Sequence, residues 1–245
     1  WRILGADRGA VHARAREADR PWLRQFIAVR HRVAEDRLSD AVERGTRQVV
    51  VLGAGLDTFA YRNPYAGVVV FEVDFPATGA WKAERLGEAG IPVPAGTAFV
   101  GCDFERDDFR ERLVAAGFEA GRPAYFLWLG VVPYLSREAV ETTLGRIGGL
   151  PGAEVVLDYA APTAGLSRRD RATRAAFERR VAALGEPLTG SWSPEDMAGI
   201  LRRAGFDQVE DLGRAEIMER LLDLPPDSPG GGGHVVHARA SLSPG

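Results

Sequence analysis

With 245 residues, 45% of them hydrophobic and 27% charged, the chain has the size and composition of a globular protein with a sizeable core. Its 31 basic and 34 acidic residues leave a net charge of −3, too balanced to imply the concentrated basic face that phosphate backbones demand, so no nucleic-acid partner is expected. The one cysteine, Cys102, rules out an internal disulfide and fits a reducing, cytoplasmic setting. No run approaches the ~18 apolar residues of a membrane span and no signal peptide is visible, so no membrane partner is expected.

Residues 19–44 place Trp22, Phe26, Val29, Val33, Leu38 and Val42 at spacings of a helical face, predicting one or two amphipathic helices. Arginines crowd Arg14–Arg37 and Arg168–Arg180; interleaved Glu and Asp mark both as solvated helical faces. The first strand is Gln48–Leu52, apolar enough to be buried on both sides. It runs into Gly53-Ala54-Gly55 and from there into a helix. A second strand spans 68–74, and Pro76 opens a helix over 76–89. Further strands are expected at 98–100, 124–129 and 154–159. Between them lie helices over 107–116, stopped by Gly117, and from Ser136, an N-cap residue. Residues 162–190 are polar, Arg-rich and helical, and read as an inserted lid. A helix then starts at Ser193-Pro-Glu-Asp, and two late strands fall at 208–212 and 234–240, separated by the glycine-rich loop 225–233. This alternation predicts an α/β fold with a mostly parallel sheet covered on both faces. The chain divides into an N-terminal helical region (1–46), a core (47–160), the lid (161–192) and a C-terminal part of the core (193–245).

The segment Val49-Val-Val-Leu-Gly-Ala-Gly-Leu-Asp-Thr58 is the sharpest motif. Its glycines suit a tight turn at which backbone approaches a ligand without an intervening Cβ. Asp74 closes the second strand about twenty residues later, where a carboxylate can accept bonds from ribose hydroxyls. Glu72 lies on the same strand face and could serve instead. Asp103 follows the third strand, in position to meet an adenine amino group. A dinucleotide oxidoreductase would continue to a third glycine; Thr58 stands there, which weighs against NAD. No Gly-Lys-Ser or Gly-Lys-Thr follows, so a nucleotide-phosphate loop is not indicated.

These residues resemble the leucine carboxyl methyltransferase-like family, which includes protein phosphatase methyltransferases and bacterial members linked to natural-product O-methylation. The matching segments are Arg30-His-Arg32, Leu52-Gly-Ala-Gly-Leu-Asp-Thr58, Phe71-Glu-Val-Asp-Phe-Pro76, Cys102-Asp-Phe104 and Trp128-Leu-Gly-Val-Val-Pro-Tyr-Leu135. The resemblance implies a Rossmann-like class I methyltransferase fold: a seven-stranded sheet, N-terminal helices and a helical lid insertion. It also implies S-adenosyl-L-methionine as cofactor, with S-adenosyl-L-homocysteine as product. Arg30 would pair with the cofactor carboxylate, with Arg32 as the alternative, since a guanidinium grips carboxylates as a fork. Gly53 and Gly55 would lie along the methionyl part, Asp74 would hold the ribose, and Asp103 and Phe104 would frame the adenine. The same motifs bring Ala54, Asp57, Phe75, Leu129 and Gly130 into the cofactor-binding set. Phosphatase-directed members carry a glutamate where this chain has Leu129, which argues for another acceptor.

Methyl transfer from a sulfonium is an in-line displacement. A carboxylate acceptor needs mainly alignment, whereas a phenol or alcohol needs a base. His12, His31, His234 and His237 are scattered, and His31 reads as a solvated helix residue. Tyr134 faces the expected cofactor mouth and could orient an acceptor. Trp192 could stack on a substrate or anchor the lid. The histidines and cysteine lack zinc spacing, so no metal is expected. The expectation is O-methylation of a small molecule or peptide, with a non-catalytic cofactor-binding protein as the alternative.

Overall fold

The computed structural model describes residues 3, 7, 9, 13, 21–183, 185, 187–225, 228 and 232–241. The expectations for His12, for the start of the first helix at 19–20 and for most of the glycine-rich loop at 225–233 lie outside the described residues. Seven strands form one sheet: β1 Gln48–Leu52, β2 Val69–Asp74, β3 Thr97–Gly101, β4 Ala124–Trp128, β5 Glu154–Ala160, β6 Gln208–Leu212 and β7 Gly233–Arg239, in the order β3-β2-β1-β4-β5-β7-β6. The first five are mutually parallel, while β7 runs antiparallel to both β5 and β6. Every residue of β1, β4 and β5 is buried, as expected of central strands covered on both faces.

Six main helices accompany the sheet: α1 Pro21–Glu43, α2 Pro76–Glu88, α3 Phe109–Ala115, α4 Arg137–Gly148, α5 Arg168–Ala183 and α6 Pro194–Arg203. The N-terminal stretch is thus a single long helix within the described residues. Its Val29, Val33, Leu38 and Ala41 pack with Val49, Val51, Tyr125, Leu127 and Val156 on one face of the sheet. On the other face Phe109 and Leu113 of α3, Val140 and Leu144 of α4, and Met197 and Ile200 of α6 pack with Val50, Phe126 and Val155. Local chemistry sets the helix starts. Ser136, Ser193 and Asp108 each accept a backbone N–H with the side chain, from Ala139, Asp196 and Arg110.

Connections from β1 lead outward to β2 and β3, and the chain then returns to β4 on the far side of β1. The sheet therefore reverses direction between β1 and β4, where crevices open beyond the carboxyl ends of the strands. One expectation fails here. No helix follows the glycine turn; only the single tight turn Phe59–Tyr61 does. The reason is local. Asn63 precedes Pro64, which disfavours helical backbone, and the Asn63 side chain accepts the Tyr65 N–H at 3.0 Å, closing a turn instead.

Candidate functional site

Gly53 and Gly55 both have left-handed backbones, φ +65° and +42°. At Gly53 a Cβ would also overlap the Val131 side chain, so the position needs glycine twice over. A Cβ on Gly55 would meet nothing closer than 3.9 Å; that side of the residue faces open space. The turn is pinned to β2: Gly53 and Ala54 donate to the Val73 carbonyl (2.8 and 3.1 Å), and Gly55 N–H donates to Asp74 Oδ2 at 2.5 Å. Above it opens a cavity of about 410 Å³, lined by Arg30, His31, residues 51–58, Arg62, Leu127 and Leu129.

Asp74 sits at the end of β2 with its other oxygen accepting the Phe75 N–H at 2.7 Å. Its Cα pairs with Gly101, and its carbonyl accepts the Cys102 N–H at 2.8 Å. The strand ends bearing Asp74 and Asp103 are therefore adjacent. Asp74 and Gly55 also line a second cavity of about 250 Å³, beside Pro76 and Gly101. Asp103 and Phe104 stand outside the lining of both cavities: Asp103 accepts the Glu105 N–H at 3.0 Å, and Phe104 packs partly on the core. Phe75 is 53% exposed at the start of α2.

Glu72, offered as a substitute for Asp74, lines the same second cavity and also takes part in an internal ion pair. It is buried and accepts from Lys82 Nζ (2.8 Å) and the Tyr61 hydroxyl (3.1 Å). Burial pushes its pKa up despite the lysine. Its Oε1 has no hydrogen-bond partner among the described residues. Asp57 lines the first cavity and is also tied down: Oδ1 accepts the Phe59 N–H at 2.6 Å, Oδ2 lies 3.7 Å from His31 Nδ1, and its carbonyl accepts from Lys82 at 2.8 Å. Glu72 and Asp57 thus stiffen the floor of the site.

Arg30 projects from α1 between the first cavity and a third one. Its Nη1 donates to Asp158 Oδ2 at 2.9 Å, while Asp158 Oδ1 accepts the Gly130 N–H at 2.5 Å. Gly130 has φ +76°, and a Cβ there would come within 2.7 Å of Arg30 Nη2. Arg30 Nε is buried with no hydrogen-bond partner among the described residues, a cation with donor capacity left beside the glycine turn. Arg32 is a correction: 74% exposed, it pairs with Asp36 at 2.7 Å, on the outer side of the helix. Asp158 was missed by the sequence reading. Its signal was an acid near the carboxyl end of an otherwise apolar, fully buried strand.

The third cavity, about 280 Å³, lies between α1, α5 and the ends of β4 and β5. Tyr134 lines it, at the end of the turn Val132–Tyr134, together with Gly130 and Asp158. His31 proves to line the first cavity rather than stand in solvent. Burial lowers its pKa below 6.5, against the raising effect of Asp57. His234 and His237 are engaged with Asp211 (2.9 Å) and Glu154 (3.0 Å). Trp192 is buried in the core, its backbone N–H donating to the Ala160 carbonyl at 3.0 Å, so its ring packs rather than faces a cavity.

The glycine turn with an open face, the Asp74 carboxylate in the cavity on one side of it and the half-buried Arg30 guanidinium in the cavity on the other fit a nucleoside joined to an amino acid. The Leucine carboxyl methyltransferase family model matches residues 4–148. A Mycolicibacterium gilvum protein bearing the name of an S-adenosyl-L-methionine-dependent methyltransferase is 34% identical over 89% of this chain and 73% of its own length. YktD of Bacillus subtilis, named likewise, is 31% identical over 75% of this chain and 62% of its own length. The chain spans 55% of the similarly named Mycobacterium tuberculosis relative. Among solved structures, a Thermobifida fusca methyltransferase superposes with TM-score 0.65 at 20% identity, covering 90% of this chain and 84% of that one. The N-terminal domain of EvdMO1, solved with S-adenosylhomocysteine bound, gives 0.52 at 21% identity, over 84% and 80%. The fold is that of these class I methyltransferases, and the chain belongs to the leucine carboxyl methyltransferase family, whose cofactor is S-adenosyl-L-methionine.

Proposed function

We propose that this chain is an O-methyltransferase that passes the methyl group of S-adenosyl-L-methionine to a carboxylate or hydroxyl oxygen of a small molecule or short peptide. The observation that carries this reading is the position of Arg30, which lines both the cavity over the glycine turn and the cavity beneath the lid. A donor in the first and an acceptor in the second would meet at one guanidinium. When bound, the cofactor supplies an electrophilic methyl group. Everything else is positioning. Asp74 holds the ribose side, the Gly53–Gly55 backbone lets the amino-acid portion approach, and Arg30 keeps Nη1 on Asp158 while offering its other nitrogens to a carboxylate. The Asp158–Gly130 bond fixes the height of that guanidinium.

Isothermal titration with S-adenosylhomocysteine tests the reading. Binding below ~1 mM is expected, and Arg30→Ala should weaken it by about 1.5–3 kcal/mol, the worth of a charged hydrogen bond. No binding to the wild-type chain sinks the proposal, and an unchanged affinity in the variant removes Arg30 from the cofactor's contacts. Cofactor binding with no transfer of labelled methyl to any acceptor would recast the chain as a cofactor-holding protein.

A further inference from the structure

We propose that the acceptor is a flat aromatic carboxylic acid of one or two rings, held between α1 and α5 with its carboxylate toward Arg30. The inference rests on the methyltransferase reading above and names the substrate class for it. Three features of the third cavity carry it.

The first is the character of its walls. Trp22 and Phe26 project from consecutive turns of α1, and Arg174, Phe177 and Val181 share one face of α5 at spacings of three and four. Trp22 and Phe177 meet edge to face, ring centroids 6.2 Å apart at 84°. A flat ring makes stacked or edge contacts with both, whereas a saturated one contributes area alone. The second is size. About 280 Å³ lies just below the usual range of ligand cavities, roughly 300 to 1,000 Å³, which suits one or two rings.

The third is that, among the described residues, its lining holds no histidine and no carboxylate other than the paired Asp158. The ionisable groups there are Arg30, Arg174, Tyr134, Tyr159 and Asp158. Arginines stay charged. Asp158 already accepts from Arg30 and Gly130. Burial and the bond to Asp211 push the Tyr159 phenol above its ordinary range. Among the described residues a phenol or alcohol substrate would find no histidine or unpaired carboxylate in this lining to take its proton. A carboxylate arrives ionised at neutral pH; Arg174 is already paired with Glu178 at 2.8 Å, and Arg30, bound to Asp158 through Nη1, is the cation that meets it. In the reaction a carboxylate oxygen forms the new bond to the methyl carbon, and the methyl–sulfur bond breaks. Its electron pair stays on sulfur, giving a methyl ester and S-adenosylhomocysteine with no proton transferred.

The test uses 2-naphthoate, decahydro-2-naphthoate, 2-naphthol and a peptide ending in leucine. Binding is followed by tryptophan fluorescence in the presence of S-adenosylhomocysteine, and methyl ester formation by label transfer. The expectation is that 2-naphthoate binds at least about tenfold more tightly than each of the other three and is the one methylated. Phe177→Ala and the gentler Phe177→Leu should each weaken 2-naphthoate at least about threefold while S-adenosylhomocysteine affinity, which also reports folding, holds. Equal affinity for the decahydro compound overturns the ring requirement. Preference for 2-naphthol overturns the carboxylate, and preference for the peptide overturns the small acceptor. Failure to bind S-adenosylhomocysteine would instead strike the methyltransferase reading beneath it.

Discussion

Lys82 is an ammonium that the fold keeps 2% exposed, with the Glu72 carboxylate at 2.8 Å and the Asp57 carbonyl at 2.8 Å. Two buried charges tolerate each other because each satisfies the other; remove one and the partner is stranded. Lys82→Met should therefore cost about 3–5 kcal/mol in urea unfolding, and adding Glu72→Gln should restore much of it. A loss below ~1 kcal/mol would mean that the carboxylate finds water or a proton instead. This pair shows where residue-level reading stops. Asp74 was legible because it follows a glycine turn at the spacing a ribose partner needs. Nothing in the chain distinguishes Glu72 from it, since both face the same way on β2 and line one cavity; only tertiary packing brings Lys82 to Glu72 and the Gly55 N–H to Asp74. Asp158 needed the same knowledge, because the contact with Arg30 spans 128 residues.

Helix α4 shows how two glycines on one element carry opposite meanings. At Gly145 an added Cβ meets nothing within 4 Å, and at Gly148 it would overlap the Ala204 carbonyl at the end of α6. Gly145→Ala should thus stabilise the chain by roughly 0.5–1 kcal/mol through helix propensity. Gly148→Ala should destabilise it by about 1–3 kcal/mol by prising α4 from α6. Thermal melts of the two variants check the contrast, and equal shifts would show that the helices do not approach so closely. At this scale the sequence was most readable. Strands β1 and β6 fall on their expected bounds, because five-residue runs between turn residues leave little choice. The helix expected after the glycine turn is absent because Asn63-Pro64 cuts it after one turn, a local signal that the Rossmann pattern overshadowed.

Across the molecule, titratable groups pull stability in two directions. Glu154 opens β5 at the sheet end away from the cavities. Burial alone would raise its pKa, but hydrogen bonds from His237 (3.0 Å) and Arg44 (2.7 Å) overcome that and hold it below 4.5. Its stabilisation is present above 4.5 and is lost as the pH falls through the folded value. His31, kept neutral by burial, acts in the same sense below 6.5. Glu72 opposes both, since a raised carboxyl pKa favours the fold on the acid side. The melting temperature should therefore decline in two stages on acidification from about pH 7. Glu154→Gln should flatten the lower stage and His31→Gln the upper; an unaltered profile in either would remove that group from the balance.

The antiparallel strand β7 lies between β5 and β6, although it comes later in the chain than either. While the polypeptide is being made, β5 has β4 on one flank and bare backbone on the other until residue 239 has emerged. The support for Asp158, and through it for Arg30, thus waits on β7. A transcript cut short before β7 would leave an apolar edge open to other chains. Its product would be lost to aggregation rather than persist as a feeble enzyme.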